Sequence, residues 1–177
     1  MYDHFLTQPL MAGQVDQAYP IVQSFVDGLE IERWRTFAER YIGNQDCDSG
    51  IMTIQSGGYI HGLFSYRVEP SLAHDRTLLI DNFLVLDLFD PSGVESALVD
   101  AVDIVSRNLR CEAVHTALPA HPSYSDGGQA TASQMGLVER FRALGHEVEC
   151  VLVCKRLRAS QPLPEGLTTF PFPVQTS

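Results

Sequence analysis

The sequence predicts an α/β protein built on one mixed β-sheet, with most strands antiparallel, one parallel pair, and helices on its faces. Three stretches carry this prediction. Thr77–Phe89 is an almost continuous apolar run, as expected of a strand buried on both faces. A helical period follows at residues 94–109, and Cys111–Leu118 is then a second strand, which gives a βαβ unit with parallel strands and a right-handed crossover. Ahead of them, residues 51–68 are predicted to form a hairpin around Ser56-Gly57-Gly58.

The remaining elements follow from the same two hydrophobic periods. Residues 5–10 are predicted as a short edge strand, and two helices are predicted at 14–27 and 31–43, each with a glycine at its end. A further helix is predicted at 131–144, after a long polar loop, and Glu147–Leu157 is predicted to close the sheet. The residues expected to face inward from that helix are Met135, Val138, Phe141 and Leu144.

Length and charge limit the class of protein. With 177 residues, 45% of them hydrophobic, residues 1–158 suit one compact domain, and residues 159–177 are a proline-rich tail. The net charge of −10 argues against nucleic acid or an anionic membrane as a partner. The sequence shows no apolar stretch long enough to span a bilayer and no signal-peptide pattern, and its four cysteines are not closely paired. We therefore expect a cytoplasmic protein with free thiols.

A turn, Asp90-Pro91-Ser92-Gly93, joins the apolar strand to the helix after it. Because the first amides of a helix lack partners and its dipole is positive there, such a turn can bind an anion. The chain could also satisfy these amides itself. Ser92 and Glu95 match an S-x-x-E capping box, or Asp90 could cap the helix with Pro91 at its first position.

Two stretches could suggest a metal site. Cys47 lies between two aspartates, and His115 and His121 are six residues apart. The first is more simply a solvated turn, and the second has no third ligand at close spacing. We therefore predict no metal site.

Three longer stretches resemble the GNAT acyltransferase superfamily, and together they extend over nearly all of the predicted domain. GGYIHGLFSYRV resembles the second and third strands of that family, including an internal glycine, here Gly62. IDNFLVLDLFDPSGVESALVDAV aligns without a gap on its fourth strand and following helix, and FRALGHEVECVLVCKRL resembles its closing helix end and last strands. The resemblance implies a GNAT-like acyl-CoA N-acyltransferase fold, with helices on both faces of a mostly antiparallel sheet.

The resemblance also implies a cosubstrate site for acetyl-CoA. In the family, acetyl-CoA lies in a V-shaped opening between the fourth and fifth strands, and an amine enters from the opposite side to attack the thioester directly. The residues implied to contact the cosubstrate are Phe83, Leu84 and Val85 for the pantetheine arm, Ser92, Gly93 and Val94 for the pyrophosphate, and Gln134 in place of a family asparagine.

The pyrophosphate turn departs from the family signature, Gln/Arg-x-x-Gly-x-Gly/Ala. Asp90 stands at the first position and Glu95 at the last, so that only Gly93 matches. At about 5 Å and an effective dielectric constant of about 20, one carboxylate facing a phosphate charge costs on the order of 3 kcal/mol. The motif is degenerate in this sequence.

The catalytic positions are a second point of comparison. Asp81 aligns with a fourth-strand glutamate that serves as base in many members, and burial would raise its pKa toward a useful value. The alternative is a rim residue that is paired with Arg76 or capped by backbone. The family tyrosine that protonates the departing thiolate aligns with Phe141, which cannot donate a proton. Tyr124 in the long polar loop could replace it or be a plain surface residue.

Two functions of different class follow. The first is an acetyl-CoA-dependent N-acetyltransferase that acts on a small-molecule or peptide amine, with Asp81 as base. The second is a GNAT-fold binding or regulatory protein that does not use acetyl-CoA, as a homodimer. The strand and Asp81 favour the first, and the altered turn with Phe141 favours the second.

Overall fold

The computed structural model describes residues 5–43, 48–86, 91–118 and 132–147. Within these ranges one five-stranded sheet has the order β1-β2-β3-β4-β5, and β4 and β5 form its parallel pair while the other neighbours are antiparallel. This confirms the predicted mixed sheet with one βαβ unit. The elements in chain order are β1 (Leu6–Pro9), a 3₁₀ turn (Ala12–Gln14), α1 (Val15–Phe25), α2 (Ile31–Ile42), β2 (Ser49–Ser56), β3 (Tyr59–Glu69), β4 (Thr77–Val85), α3 (Pro91–Asn108), β5 (Ala113–Thr116) and α4 (Ala132–Ala143).

Helices cover both faces of the sheet, and each pair buries its own apolar cluster. The first pair, α1 and α2, packs on one face of the strands, and α3 and α4 pack on the other. The α1/α2 cluster includes Ala18, Ile21, Trp34, Ala38, Leu63 and Leu84. The α3/α4 cluster includes Phe64, Ile80, Phe83, Val94, Leu98, Val102, Leu137 and Phe141. Strands β3 and β4 contribute to both clusters, which explains their nearly continuous apolar sequences.

The predicted hairpin between β2 and β3 is confirmed. Ser56 pairs with Tyr59, and the two residues between them are Gly57 and Gly58, with φ of 58° and 85°. A two-residue connection of this kind requires positive φ at both central positions, which glycine adopts without steric cost.

Two details of the helices differ from the prediction. In α4, Leu137 and Phe141 are the buried pair, one turn apart, whereas Leu144 follows the helix end and is 48% exposed. The start of α3 is Pro91, so that Ser92 lies inside the first turn and cannot be the N-cap. The capping box of Ser92 and Glu95 is therefore wrong, while Pro91 at the first helical position agrees with the alternative.

Several predictions concern residues outside the described ranges. These are the long polar loop at 119–130, the closing strand beyond residue 147 and the tail at 159–177. Among the helices that the structure describes, none combines the length and the apolar character needed to cross a lipid bilayer.

Candidate active site

A bulge in β4 shapes the centre of the sheet. Leu63 pairs with Leu84 and Ser65 with Asp81, so that β4 has one more residue than β3 between these two pairs. Asn82 lies at the bulge and has φ of 52°, a left-handed conformation that asparagine tolerates better than most residues. Its side-chain amide donates to the Ser65 hydroxyl at 2.9 Å, and that hydroxyl donates to the Asp81 carbonyl at 3.1 Å. A buried serine therefore holds the bulge in place.

Immediately at this bulge, β4 separates from β5. The parallel pairing runs from Thr77 and Ala113 to Ile80 and Thr116, and Ala117 N donates to Ile80 O at 2.9 Å. Beyond Ile80, β4 continues to Val85 without a neighbouring strand on that side among the described residues. Because a bulge bends its strand, it accounts for this divergence. We call the region beyond this last pair the opening between β4 and β5, and its apex lies at Ile80 and Thr116.

Asp81 lies at the apex of the opening, on the α1/α2 face of the sheet. Its side chain is 35% exposed, and Oδ2 accepts a hydrogen bond from Nη1 of Arg67 on β3. The same guanidinium donates through Nε to Glu69 at 2.6 Å. These hydrogen bonds, first to Glu69 and then to Asp81, raise the pKa of Arg67 above its ordinary value, so that it stays cationic. The predicted alternative partner is wrong, because Arg76 pairs with Asp48 at 2.5 Å.

Thr116 lies on the opposite face of the same apex. It pairs with Ile80, whose side chain belongs to the α3/α4 cluster, and residues paired directly across a sheet point to the same face. Its hydroxyl oxygen is buried and has no hydrogen-bond partner within the described ranges. Asp81, Thr116 and Phe141 all line one cavity of about 810 Å³, which extends around the edge of β5.

The first turn of α3 contains the amides of Ser92, Gly93 and Val94, at the wide end of the opening. Glu95 follows them, with a side chain that is 13% exposed and an Oε2 atom 3.4 Å from Nε of Arg140 on α4. Arg140 also donates to the Ser96 hydroxyl at 2.6 Å. Burial raises the pKa of Glu95, and Arg140 opposes that shift. This carboxylate therefore points toward α4 and is neutralised in part by an arginine.

Phe141 has a structural role in the core. It is 5% exposed, and its ring makes an edge contact with Phe83 at 5.4 Å and with His146 at 5.0 Å between centroids. Phe83 in turn stacks on Phe64. The three rings bind α4 to the centre of the sheet beside the apex, and the phenylalanine offers the opening no proton donor.

The structure brings together part of the set that the sequence predicted. Asp81 is at the apex. The backbone of Phe83–Val85 lies along the edge of β4 that has no neighbouring strand among the described residues, and Ser92–Val94 form the helix end. Tyr124 and Asp90 lie outside the described residues, as does the side chain of Gln134. No group of three histidine, cysteine, aspartate or glutamate side chains in the described part of the chain is placed to hold a metal ion.

Sequence reasoning missed four residues of this site: Ser65, Arg67, Asn82 and Thr116. The adjacent polar residues Asp81-Asn82 inside an apolar run are a signal for the bulge, because asparagine is a common left-handed residue. Arg67 carried no such signal, since its contact with Asp81 depends on the register between two strands. Thr116 is an ordinary strand residue in the sequence, and what distinguishes it is that its hydroxyl has no partner within the residues that the structure describes.

A mostly antiparallel sheet that opens at its parallel pair, with α3 starting beyond the opening and α4 beside it, defines the GNAT acyl-CoA N-acyltransferase fold. Solved structures of N-acetyltransferases share it. The aminoglycoside N-acetyltransferase AAC(6')-Iy in complex with CoA superposes with a TM-score of 0.67 at 14% identity, over 89% of this chain and 97% of that one. Glucosamine-6-phosphate N-acetyltransferase from Arabidopsis thaliana gives 0.65 at 14% identity, over 88% and 100%.

A third similar structure is the ribosomal-protein-alanine N-acetyltransferase from Brucella melitensis biovar Abortus 2308, with a TM-score of 0.61 at 13% identity, over 88% of this chain and 100% of that one. No protein-family model matches the sequence, and no curated protein matches it. At these identities the likeness establishes the N-acetyltransferase fold, and the chemistry must be argued from the site.

Proposed function

We propose that the protein is an acetyl-CoA-dependent N-acetyltransferase that transfers the acetyl group to an amine by direct attack. The observation that carries the proposal is the opening between β4 and β5 with a carboxylate at its apex. The opening leaves the backbone of Phe83–Val85 without a neighbouring strand among the described residues, so it can pair with an extended chain. The amides of Ser92, Gly93 and Val94 at its wide end suit the pyrophosphate.

The order of these parts along the chain gives the cosubstrate a direction. With the pyrophosphate at α3 and the pantetheine arm along Phe83–Val85, the thioester comes to the apex near Ile80 and Asp81. Acetyl-CoA supplies an activated acyl group, and the protein must orient the amine and accept its proton. Asp81 faces the α1/α2 side, and we assign it the role of the base, reached directly or through water.

Arg67 orients the proposed base. It holds Asp81 Oδ2 from one side and Glu69 from the other, so that the carboxylate of Asp81 has a defined position at the apex. A bound carboxylate loses less conformational freedom when the substrate arrives, which favours reaction at a defined distance.

The acceptor is an amine on a small molecule or a peptide. The similar structures act, by their names, on an aminoglycoside, on glucosamine 6-phosphate and on a ribosomal protein. One fold thus accommodates acceptors of very different size, so the acceptor must be identified by direct screening of amines.

A second candidate function is a binding protein with this fold that does not use acetyl-CoA. The observation that favours it is Glu95, whose mostly buried carboxylate lies one residue beyond the amides proposed for the pyrophosphate. If the ion pair with Arg140 does not neutralise it sufficiently, phosphate binding at the turn is lost.

Ligand binding separates the two functions. We expect acetyl-CoA at 100 times its dissociation constant to stabilise the protein by about 2.7 kcal/mol, which raises Tm by roughly 5–10 °C. Differential scanning fluorimetry and calorimetry with acetyl-CoA and CoA measure this, and mass spectrometry of an amine panel then detects acetylated products. If millimolar acetyl-CoA does not raise Tm, the enzyme proposal is wrong and the binding protein is favoured.

A further inference from the structure

The hydroxyl of Thr116 is the most unusual polar group of the described site. Its oxygen is buried, yet no donor or acceptor in the described part of the chain reaches it. Buried hydroxyl groups almost always have a hydrogen-bond partner. Burial removes their hydrogen bonds to water, and leaving these unreplaced costs free energy. At the apex of an opening, a ligand that enters can supply the hydrogen-bond partner of such an atom.

The surroundings of Thr116 indicate which part of a ligand its hydroxyl would contact. It pairs with Ile80, next to Asp81, at the point where the strands part. This inference rests on the proposed function, in which the thioester lies at the same apex. Asp81 is on the α1/α2 face and Thr116 on the α3/α4 face, so the two groups flank the reacting atoms from opposite sides.

We propose that Thr116 donates a hydrogen bond to the sulfur atom of CoA. Phe141, which lines the same cavity, has no donor to offer. The other hydroxyl that lines it within the described residues, that of Ser106, already donates to Asp103 O at 2.9 Å, so Thr116 is the available donor. As the amide bond forms, the C–S bond breaks and its electron pair stays on sulfur, while the proton of the amine goes to Asp81. Thr116 stabilises the sulfur anion and keeps its own proton.

Two substitutions separate the hydroxyl from the shape of the side chain. Thr116→Val keeps the shape and removes the donor, while Thr116→Ser keeps the donor. Calorimetry at alkaline pH, where the thiol of CoA ionises, compares the dissociation constants of CoA and of desulfo-CoA, which has no sulfur. We expect Thr116→Val to weaken CoA binding about tenfold relative to desulfo-CoA, since hydrogen bonds to charged groups are strong. Thr116→Ser should retain the parent ratio.

The ligand-free protein gives an independent measurement. Because Thr116→Val removes a buried hydroxyl that has no partner in the described part of the chain, we expect its Tm to rise by about 2–4 °C. A fall in Tm would show that the hydroxyl serves the fold and would contradict the proposal.

The outcomes distinguish this inference from the proposed function. If Thr116→Val binds CoA and desulfo-CoA in the parent ratio, the sulfur contact is wrong and the acyltransferase proposal stands. If the parent protein binds neither compound, the proposed function fails and this inference fails with it.

Discussion

The two ends of the opening between β4 and β5 differ in how well they suit an acyltransferase. At the apex, a carboxylate oriented by Arg67 and a hydroxyl without a partner among the described residues flank the position that we propose for the reacting atoms. At the wide end, the first turn of α3 contains the amides of Ser92–Val94, but the next residue is Glu95, held by Arg140. The apex favours catalysis, and the wide end opposes tight binding of phosphates.

The comparison shows that the fold alone does not determine the activity. The apex is created by the backbone, because the bulge at Asn82 bends β4 away from β5. Phosphate binding at the wide end depends on single side chains, since the side chains beside the first turn of α3 decide whether its backbone can bind phosphate. Substitutions at each end therefore test different parts of the proposal.

The largest effect is expected at the apex. Asp81→Asn removes the proposed base and keeps the size of the side chain. We expect turnover to fall roughly a hundredfold or more, while the affinity for CoA stays near that of the parent. Steady-state kinetics with an acceptor found in the amine screen, together with calorimetry, measures both quantities.

Glu69→Gln is the matched control, because Glu69 is the other carboxylate bound by Arg67. It alters the same guanidinium without touching the apex, so we expect turnover to stay within about twofold of the parent. Equal losses in both variants would mean that Asp81 acts only through Arg67. An unchanged rate in Asp81→Asn would remove this residue from the mechanism.

The order and type of the elements could be predicted because each segment carries its own hydrophobic period. The parallel pair, the hairpin and the four helices were predicted in this way. The site was harder to predict. The contact between Arg67 and Asp81 joins positions fourteen residues apart through a register that the bulge determines, and no local pattern encodes that register. The pairing of Glu95 with Arg140 likewise depends on how two helices meet.

A smaller effect is expected where α3 rests on the sheet at the wide end. Gly62 pairs with Val85, and a Cβ there would lie 2.9 Å from Val94 and Leu98 side-chain atoms and 3.1 Å from Leu84 O. Gly62→Ala should therefore push the first turn of α3 outward and destabilise the fold by about 2 kcal/mol, lowering Tm by roughly 4–8 °C. Thermal denaturation measures this.

Gly136→Ala is the control for that variant. A Cβ at this position of α4 would meet no atom within 4 Å in the described part of the chain, and alanine is the better helix former. We expect it to stabilise the protein by up to about 1 kcal/mol. Loss of stability in both variants would contradict the close approach at Gly62 as the cause.

The smallest effect is expected at Glu95. Glu95→Gln removes the negative charge beside the amides of Ser92–Val94, and Arg140 keeps its bond to Ser96. We expect the affinity for CoA to rise about three- to tenfold, less than an unpaired charge would cause, because Arg140 already neutralises part of it. Glu139→Gln is the control, since Glu139 is an exposed glutamate of α4 paired with Arg142. A gain in both variants would reflect net charge alone.

The same variant has a defined dependence of stability on pH. Burial raises the pKa of Glu95 in the folded protein above the ordinary value of 4.5, so the folded state holds its proton more tightly than the unfolded state does. Its contribution to stability is present below pH 4.5 and is lost as the pH rises through the folded pKa. Urea denaturation from pH 4 to pH 8 should therefore show Glu95→Gln gaining on the parent by less than about 1 kcal/mol as the pH rises. A difference in unfolding free energy that stays constant with pH would mean that Arg140 fully offsets the effect of burial on Glu95. The charge of Glu95 would then oppose phosphate binding at the wide end less than we propose.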